Sequence, residues 1–138
     1  MAIITTQNLT IANLTATTVR ATVTYRLIPN AVEKLAGSVF SENISGIGDD
    51  PGVATDIIVF TYPTVAFAVN PATVFVQRTR ILTVAKAALN EDPGFEGTGA
   101  EQVDEIKARI HVTYAANPPL NPAPPPTTDT NIVTGAFK

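Results

Sequence analysis

The sequence predicts an all-β protein: an antiparallel β-sandwich or small barrel, Ig-like or jelly-roll-like, with extended N- and C-terminal arms. Three observations predict this class. The chain is rich in threonine, valine and isoleucine, β-branched residues that favour strands over helices. Two segments alternate apolar and polar residues with a period of two. Turn-forming residues separate several other β-prone segments, which is typical of sandwiches and barrels.

The chain has 138 residues, of which 45% are hydrophobic and 15% are charged. This length suits one domain, and the apolar content is high enough to exclude a fully disordered chain. We divide it into residues 1–14, an N-terminal arm or edge strand; residues 15–116, the β-sandwich domain; and residues 117–138, a proline-rich extended arm ending in a short strand.

The clearest strands are residues 19–27 and residues 106–114. In the first, apolar residues such as Val23 alternate with polar residues such as Thr24, and the second repeats this pattern from Ile106 onward. Each strand therefore has one buried and one solvated face, which indicates antiparallel sheets. Four further segments are predicted strands: residues 34–40, 56–60, 65–69 and 73–87.

Two regions also allow a helix. Residues 31–36 have the length of one short helix after Pro29. Thr98 and Glu101 have the spacing of a capping box, ahead of a helical stripe of apolar residues. We favour a strand for residues 104–114, because the alternation continues through their end.

Both ends of the chain are candidate arms. Residues 3–14 are either a further strand or a second arm. Six prolines lie between Pro118 and Pro126, and they favour an extended, semi-rigid conformation. The apolar, β-prone residues 130–138 follow, so we expect an arm that docks on another protein. A tail that folds back on its own domain, or a disordered tail, remains open.

The predicted partner-binding residues come from this arm and from one strand. Arg78 and Arg80, with Lys86, are expected on an exposed strand face that either contacts an acidic partner or is simply solvated. The full set is Pro118, Pro119, Pro124, Pro125, Pro126, Ile132, Val133, Phe137, Arg78 and Arg80.

The sequence carries no catalytic signature. It has no cysteine, which excludes disulfides, thiol nucleophiles and thiolate metal sites. Its single histidine, His111, is predicted on the solvated face of a strand, and no serine lies in a nucleophile motif. We therefore expect no enzyme, no cofactor and no metal site, and assign no catalytic residue.

Two weaker candidates remain open. The acidic segment 91–105 is either a solvated loop, a site for calcium or another cation, or a carboxylate pair for acid–base chemistry. The aromatic residues Phe60, Tyr62, Phe67 and Phe75 are either core residues or a platform for carbohydrate.

Charge and hydropathy limit the partners. The net charge is −3 and the pI is about 5.0, so we expect no nucleic-acid binding. No apolar run approaches the ~20 residues of a membrane-spanning helix. The start MAIITTQNLT lacks the features of a signal peptide, so we expect synthesis in a host cytoplasm.

In overall character the chain resembles small structural proteins of tailed bacteriophages, namely capsid cement or decoration proteins and small neck or tail components. The resemblance lies in the threonine- and valine-rich composition, the absence of cysteine, the start MAIITTQNLT and the extended end NPPLNPAPPPTTDTNIVTGAFK. It implies a homo-oligomeric virion protein, most simply a capsid cement protein. Such a protein binds the major capsid protein or another virion protein through strand edges and terminal arms. The alternatives are a neck or tail component, or an Ig-like module that binds carbohydrate or a cell surface.

Overall fold

Strands dominate the computed structural model, which describes residues 2–48, 57–90, 104–120, 122, 126–135 and 137. Within these residues the elements, in chain order, are β1 (Ile3–Asn13), β2 (Thr18–Ile28), α1 (Ala31–Ala36), β3 (Val39–Gly48), β4 (Ile57–Thr61), β5 (Val65–Ala68), β6 (Val76–Ala85), α2 (Lys86–Leu89), β7 (Asp104–Ala116), β8 (Thr127–Asp129) and β9 (Val133–Gly135).

The strands form two antiparallel sheets that pack together as a sandwich. Sheet A has the order β1-β2-β6. In sheet B, β3 and β7 are the central pair; β4 and β5 bind the outer side of β3, while β8 and β9 bind the outer side of β7. The sandwich alternative of the predicted fold class is therefore confirmed.

The two strands with the strictest alternation supply much of the core. Val19, Val23 and Leu27 of β2 are fully buried, and so are Ile106 and Ile110 of β7. Their intervening residues point away from the core, as a period of two requires. Both predicted strands are confirmed, each extended by one or two residues at its ends.

Strand β3 lies at the centre of sheet B, although the sequence predicted a strand only over residues 34–40 in this region. Residues 34–36 instead belong to α1. The inward side of β3 carries Glu42 and Gly46 between apolar residues, which weakens the local pattern. Gly46 is required because the ring of Phe60 occupies the space that a Cβ would need.

Helix α1 forms in the first of the two regions that also allowed a helix. The Asn30 side chain accepts a hydrogen bond from the Glu33 N–H (2.8 Å), and the Glu33 carboxylate accepts one from the Asn30 N–H (2.8 Å). This capping box satisfies the free donors of the first turn. Gly37 ends the helix in the left-handed region, with φ of 64°, where glycine carries no Cβ penalty.

The two ends of the chain join the sandwich. Residues 3–13 form β1, an edge strand of sheet A, which was one of the two N-terminal alternatives. Residues 127–129 and 133–135 pair with β7, and Phe137 lies in the core. For these residues the predicted extended C-terminal arm is wrong, and the tail folds back on its own domain because its apolar side chains find partners there.

The remaining predicted elements vary in accuracy. β4 and β5 match the segments 56–60 and 65–69 to within one residue at each end. The single segment predicted over 73–87 is shorter as β6 and is followed by α2. Most of the acidic segment 91–105, and the helical alternative at Thr98 and Glu101, lie outside the described residues.

Candidate functional site

A cluster of charged residues lies between the two sheets. The Glu42 carboxylate, which is fully buried on β3, accepts hydrogen bonds from the Tyr25 hydroxyl (2.6 Å) on β2 and from Arg78 (3.1 and 3.3 Å) on β6. Arg80, two residues farther along β6, also donates to it. A second guanidinium nitrogen of Arg80 donates to the Pro63 carbonyl (2.9 Å). The cluster therefore ties an edge strand of sheet A to the centre of sheet B.

The partners of Glu42 keep it ionised. Burial by itself raises the pKa of the Glu42 carboxyl, but hydrogen bonds from Arg78, Tyr25 and Arg80 outweigh burial and lower the pKa below its ordinary value. Burial, followed by the hydrogen bond to Glu42, raises the pKa of the Tyr25 hydroxyl well above its ordinary value. Tyr25 thus stays a neutral donor, while two guanidinium groups share one carboxylate.

This geometry corrects the expected position of the two arginines. Their side chains are only 20% and 14% exposed and point into the sandwich. Arg78 also stacks over the Phe67 ring (4.6 Å) and Arg80 lies over the Tyr62 ring (5.9 Å). They do not form the exposed basic face that the alternation along this strand indicated.

The predicted contact residues of the C-terminal segment differ in exposure: some are exposed and others are buried against the sandwich. Pro118 and Ile132 are exposed, whereas Pro119 and Phe137 are buried. Val133 is half-buried opposite Ile106. The Pro126 carbonyl accepts a hydrogen bond from the Val112 N–H (3.1 Å), and Pro124 and Pro125 lie outside the described residues.

Polar side chains attach this segment to β7. Asp129 binds Arg109 (2.9 Å) and Lys107 (3.3 Å). The hydrogen bond from Arg109 lowers the pKa of the Asp129 carboxyl, and Lys107 adds to this effect against the opposing effect of burial. His111, on the outer side of β7, lies 2.5 Å from the Thr127 hydroxyl. Its side chain thus supports strand pairing.

The same segment closes the outer edge of β1. The side-chain amide of Asn131 accepts a hydrogen bond from the Leu9 N–H (2.8 Å) and donates one to the Leu9 carbonyl (3.1 Å). Gln7 reaches the Thr128 hydroxyl (3.1 Å). Asn131 thereby satisfies both backbone groups of one residue, as a neighbouring strand does. We call this contact between β1 and residues 127–131 the seam.

One end of the sandwich exposes a group of apolar side chains. Ile3 and Ile28 face each other across β1 and β2. Phe75 immediately precedes the partner of Leu27 and packs under the Arg26 guanidinium (4.5 Å). Helix α1 begins three residues after Ile28, and its buried Glu33 accepts a hydrogen bond from the Ala2 N–H (3.2 Å). We define the apolar end as Ile3, Ile28, Val32, Leu35, Val74 and Phe75, which are between 39% and 81% exposed.

The apolar end was not predicted from the sequence, although a signal for it was present. Ile28 occupies an outward position of β2, where Arg20, Thr24 and Arg26 are polar. Val32 and Leu35 are three residues apart, the spacing of one face of a helix. Several apolar residues at otherwise solvated positions together indicate a contact surface.

The other candidates give no further site among the described residues. Phe60 and Tyr62 are buried in the core, so these two cannot form the exposed carbohydrate platform that was considered. Within the described residues, no group of three or more His, Asp or Glu side chains is arranged to hold a metal ion. Over the same residues, no helix combines the length and apolar character needed to cross a membrane.

The chain was compared with protein-family models, curated proteins and solved structures, and none of them matches it.

Proposed function

We propose that the protein is a structural subunit of a virus particle, with the role of a capsid cement protein. The overall resemblance to small bacteriophage structural proteins supports this role, and the apolar end is the observation that carries it. In this proposal the sandwich attaches to the shell by a preformed surface, while residues 127–135 complete its own fold.

The exposure of the apolar end supports protein binding. Leu35 and Val32 on α1 are 81% and 54% exposed, and Ile3 and Ile28 extend the surface onto sheet A. Exposed apolar side chains grouped on one part of a protein mark sites where proteins bind each other. Full burial of one such side chain is worth about 1.5–3 kcal/mol. A symmetric shell offers many copies of the same contact, which strengthens attachment.

The rigidity of this surface also suits a clamp. The capping box at Asn30, together with the hydrogen bonds from Ala2 and Tyr114 to Glu33, fixes α1 on the sandwich. A surface that is already ordered loses less conformational entropy on binding than a disordered arm does. The proposed attachment therefore requires little rearrangement of the subunit.

The first test uses the genes that flank its own. They are expected to encode a major capsid protein, a portal protein or tail components. Shells assembled from that capsid protein are then mixed with the purified subunit and sedimented.

The second test uses matched variants in the same sedimentation assay. Leu35→Asp is expected to weaken binding at least about tenfold. This corresponds to a loss of only ~1.4 kcal/mol of binding free energy. Ile58→Asp, at a side chain of β4 that is 62% exposed, is expected to bind like the unmodified protein. Equal binding by the Leu35 variant contradicts attachment through the apolar end. Binding of the unmodified protein to tail tubes instead of shells assigns the protein to the tail.

A further inference from the structure

The outer edge of β6 is open along the part of the chain that the structure describes. One edge of β6 pairs with β2 continuously, from Val76 opposite Leu27 to Ala85 opposite Thr18. No described residue pairs with the other edge. The opposite edge of the same sheet, on β1, is instead closed at the seam by Asn131. The unpaired backbone groups of an edge strand can bind another strand.

The side chains of β6 differ between its two faces. Its outward face carries Gln77, Thr79, Ile81, Thr83 and Ala85, and Ile81 at the centre is 60% exposed. Its inward face carries Arg78 and Arg80, which share the single carboxylate of Glu42. The inward face of this edge therefore has an excess of one positive charge.

We propose that a second copy of this chain pairs with β6 in the antiparallel direction, across a two-fold axis at Ile81. The two copies then share one continuous six-stranded sheet, β1-β2-β6 followed by the same strands of the second copy in reverse order. This specifies the surface and the register of the homo-oligomer expected from the sequence, and it does not depend on the proposed attachment to a shell.

Charge selects this register. Directly opposed residues of antiparallel strands project to the same face, so a two-fold axis perpendicular to the sheet passes between a residue and its own copy. An axis at residue 78, 79 or 80 places an arginine opposite an arginine. An axis at residue 82 or 83 brings an arginine to the end of β6 of the second copy, beside Lys86, the first residue of α2. Like charges directly opposite each other are destabilising.

An axis at Ile81 avoids every such pair. Arg80 then faces Leu82 of the second copy, and Arg78 faces Val84. On the outward face Ile81 meets its own copy, and Thr79 faces Thr83. The exposed isoleucine is buried against an equal partner, and β-branched residues pair across the strands, which is favourable in sheets. The inward arginines thus favour the register centred on Ile81 over the other registers centred between residues 78 and 83.

Cross-linking tests the register directly, because the chain has no cysteine of its own. Directly opposed residues of antiparallel strands have Cα atoms about 4.5–5.5 Å apart, within the range that a disulfide spans. We expect Ile81→Cys to form a covalent dimer under mild oxidation. Thr79→Cys and Thr83→Cys should each form no covalent dimer alone, but a mixture of these two variants should cross-link.

The outcomes separate the alternatives. A Thr79→Cys protein that links to itself as readily as Ile81→Cys contradicts the proposed register. Failure of both Ile81→Cys alone and the mixture to cross-link overturns the pairing.

Sedimentation velocity tests the association without cysteine. The unmodified chain is expected to reach the mass of a dimer by a concentration of about 100 μM, in the range of weak specific association. Ile81→Lys should remain a monomer with an unchanged circular dichroism spectrum. Ile58→Lys, the matched change at an equally exposed isoleucine on β4, should still dimerise. A monomeric unmodified chain, or dissociation by the Ile58 change alone, contradicts the proposal.

Discussion

Glu42 lies between the sheets with its carboxylate surrounded by donors from two other strands. A buried carboxylate is tolerated only when it is paired and hydrogen-bonded. Here Arg78, Arg80 and the Tyr25 hydroxyl meet that requirement. These groups come from distant parts of the sequence, so their contacts also fix how β2, β3 and β6 align. The cluster thereby contributes to a unique alignment of the two sheets, besides its net effect on stability.

Glu42→Gln is expected to lower the free energy of unfolding by about 3–5 kcal/mol, because it leaves two arginines without their carboxylate in the interior. The measurement is urea denaturation followed by circular dichroism at neutral pH. Glu105→Gln, at a half-buried position on the outer side of β7, is the control and should change stability little. A Glu42 variant as stable as the Glu105 variant contradicts this role of the cluster.

The lowered pKa of Glu42 also predicts acid lability. The unfolded chain, in which the pKa of this group is near the ordinary value of 4.5, binds a proton more readily than the folded chain does. The stabilisation by ionised Glu42 is therefore complete above that value and is lost as the pH falls through the lower folded pKa. Between about pH 5 and pH 3, the unmodified protein should lose more stability than Glu42→Gln does. If the free energy of unfolding falls equally with pH in the two proteins, this prediction is contradicted.

Strand β1 is an edge strand whose outer side is bound at Leu9 by a side chain instead of by another strand. Its outer backbone groups at Leu9 bind the amide of Asn131, a side chain from the segment between β8 and β9. A side-chain amide has one donor and one acceptor, so it can satisfy both groups of a strand residue. The seam therefore closes at Leu9 an edge that is otherwise available for pairing with other chains.

Asn131→Ala is expected to cost about 1–2 kcal/mol, since two hydrogen bonds to a partly buried backbone are lost. Hydrogen exchange gives the specific readout: the Leu9 amide should exchange much faster, while the amides of the central strand β3 change only in proportion to global stability. Ile132→Ala, at the adjacent exposed position, is the control. Unchanged protection of the Leu9 amide in the Asn131 variant argues against the seam.

At the level of elements, the sequence was most informative where burial alternated regularly. β2 and β7 could be predicted because every inward residue of their central parts is apolar. β3 could not, because the partners of its inward Glu42 lie 17 and 36 residues away, beyond any local window. Gly46 also hides the strand pattern, because the need for glycine comes from the ring of Phe60 on another strand.

The whole molecule depends on its C-terminal segment. β8 and β9 bind the outer side of β7, Asp104 accepts a hydrogen bond from the Phe137 N–H (3.3 Å), and the Phe137 ring lies in the core. The proline-rich spacer before these strands favours an extended conformation, which does not determine whether the following residues return to the domain. For this reason the arm could not be distinguished from a folded tail by composition alone.

Removal of residues 127–138 is therefore expected to destabilise the fold severely. Loss of the Phe137 side chain alone is worth about 3–5 kcal/mol, and the truncation also exposes the outer side of β7. Thermal and urea unfolding of the truncated chain provide the measurement. Leu120→Ala, at a side chain that is 89% exposed, is the control and should be neutral. If the truncated chain unfolds at unchanged midpoints, the result supports the predicted independent arm instead.

The candidate surfaces were harder to predict than the fold. Arg78 and Arg80 alternate with apolar and hydroxyl residues, and that pattern alone does not state which face of β6 is inward. The apolar end combines residues from β1, β2, α1 and the segment before β6, which only the folded chain brings together. Its members are ordinary hydrophobic residues in sequence and become a surface through the register of the strands.

The seam also affects the order in which parts of the fold can form during synthesis. Leu9 and Asn131 are 122 residues apart, so β1 is synthesised long before the group that binds its outer edge at Leu9. Until Asn131 has been synthesised, the outer edge of β1 at Leu9 lacks this partner, so the seam forms after β1 and β2 are available to pair. A chaperone that shields exposed backbone edges is accordingly expected to bind at Leu9 only before Asn131 occupies that edge.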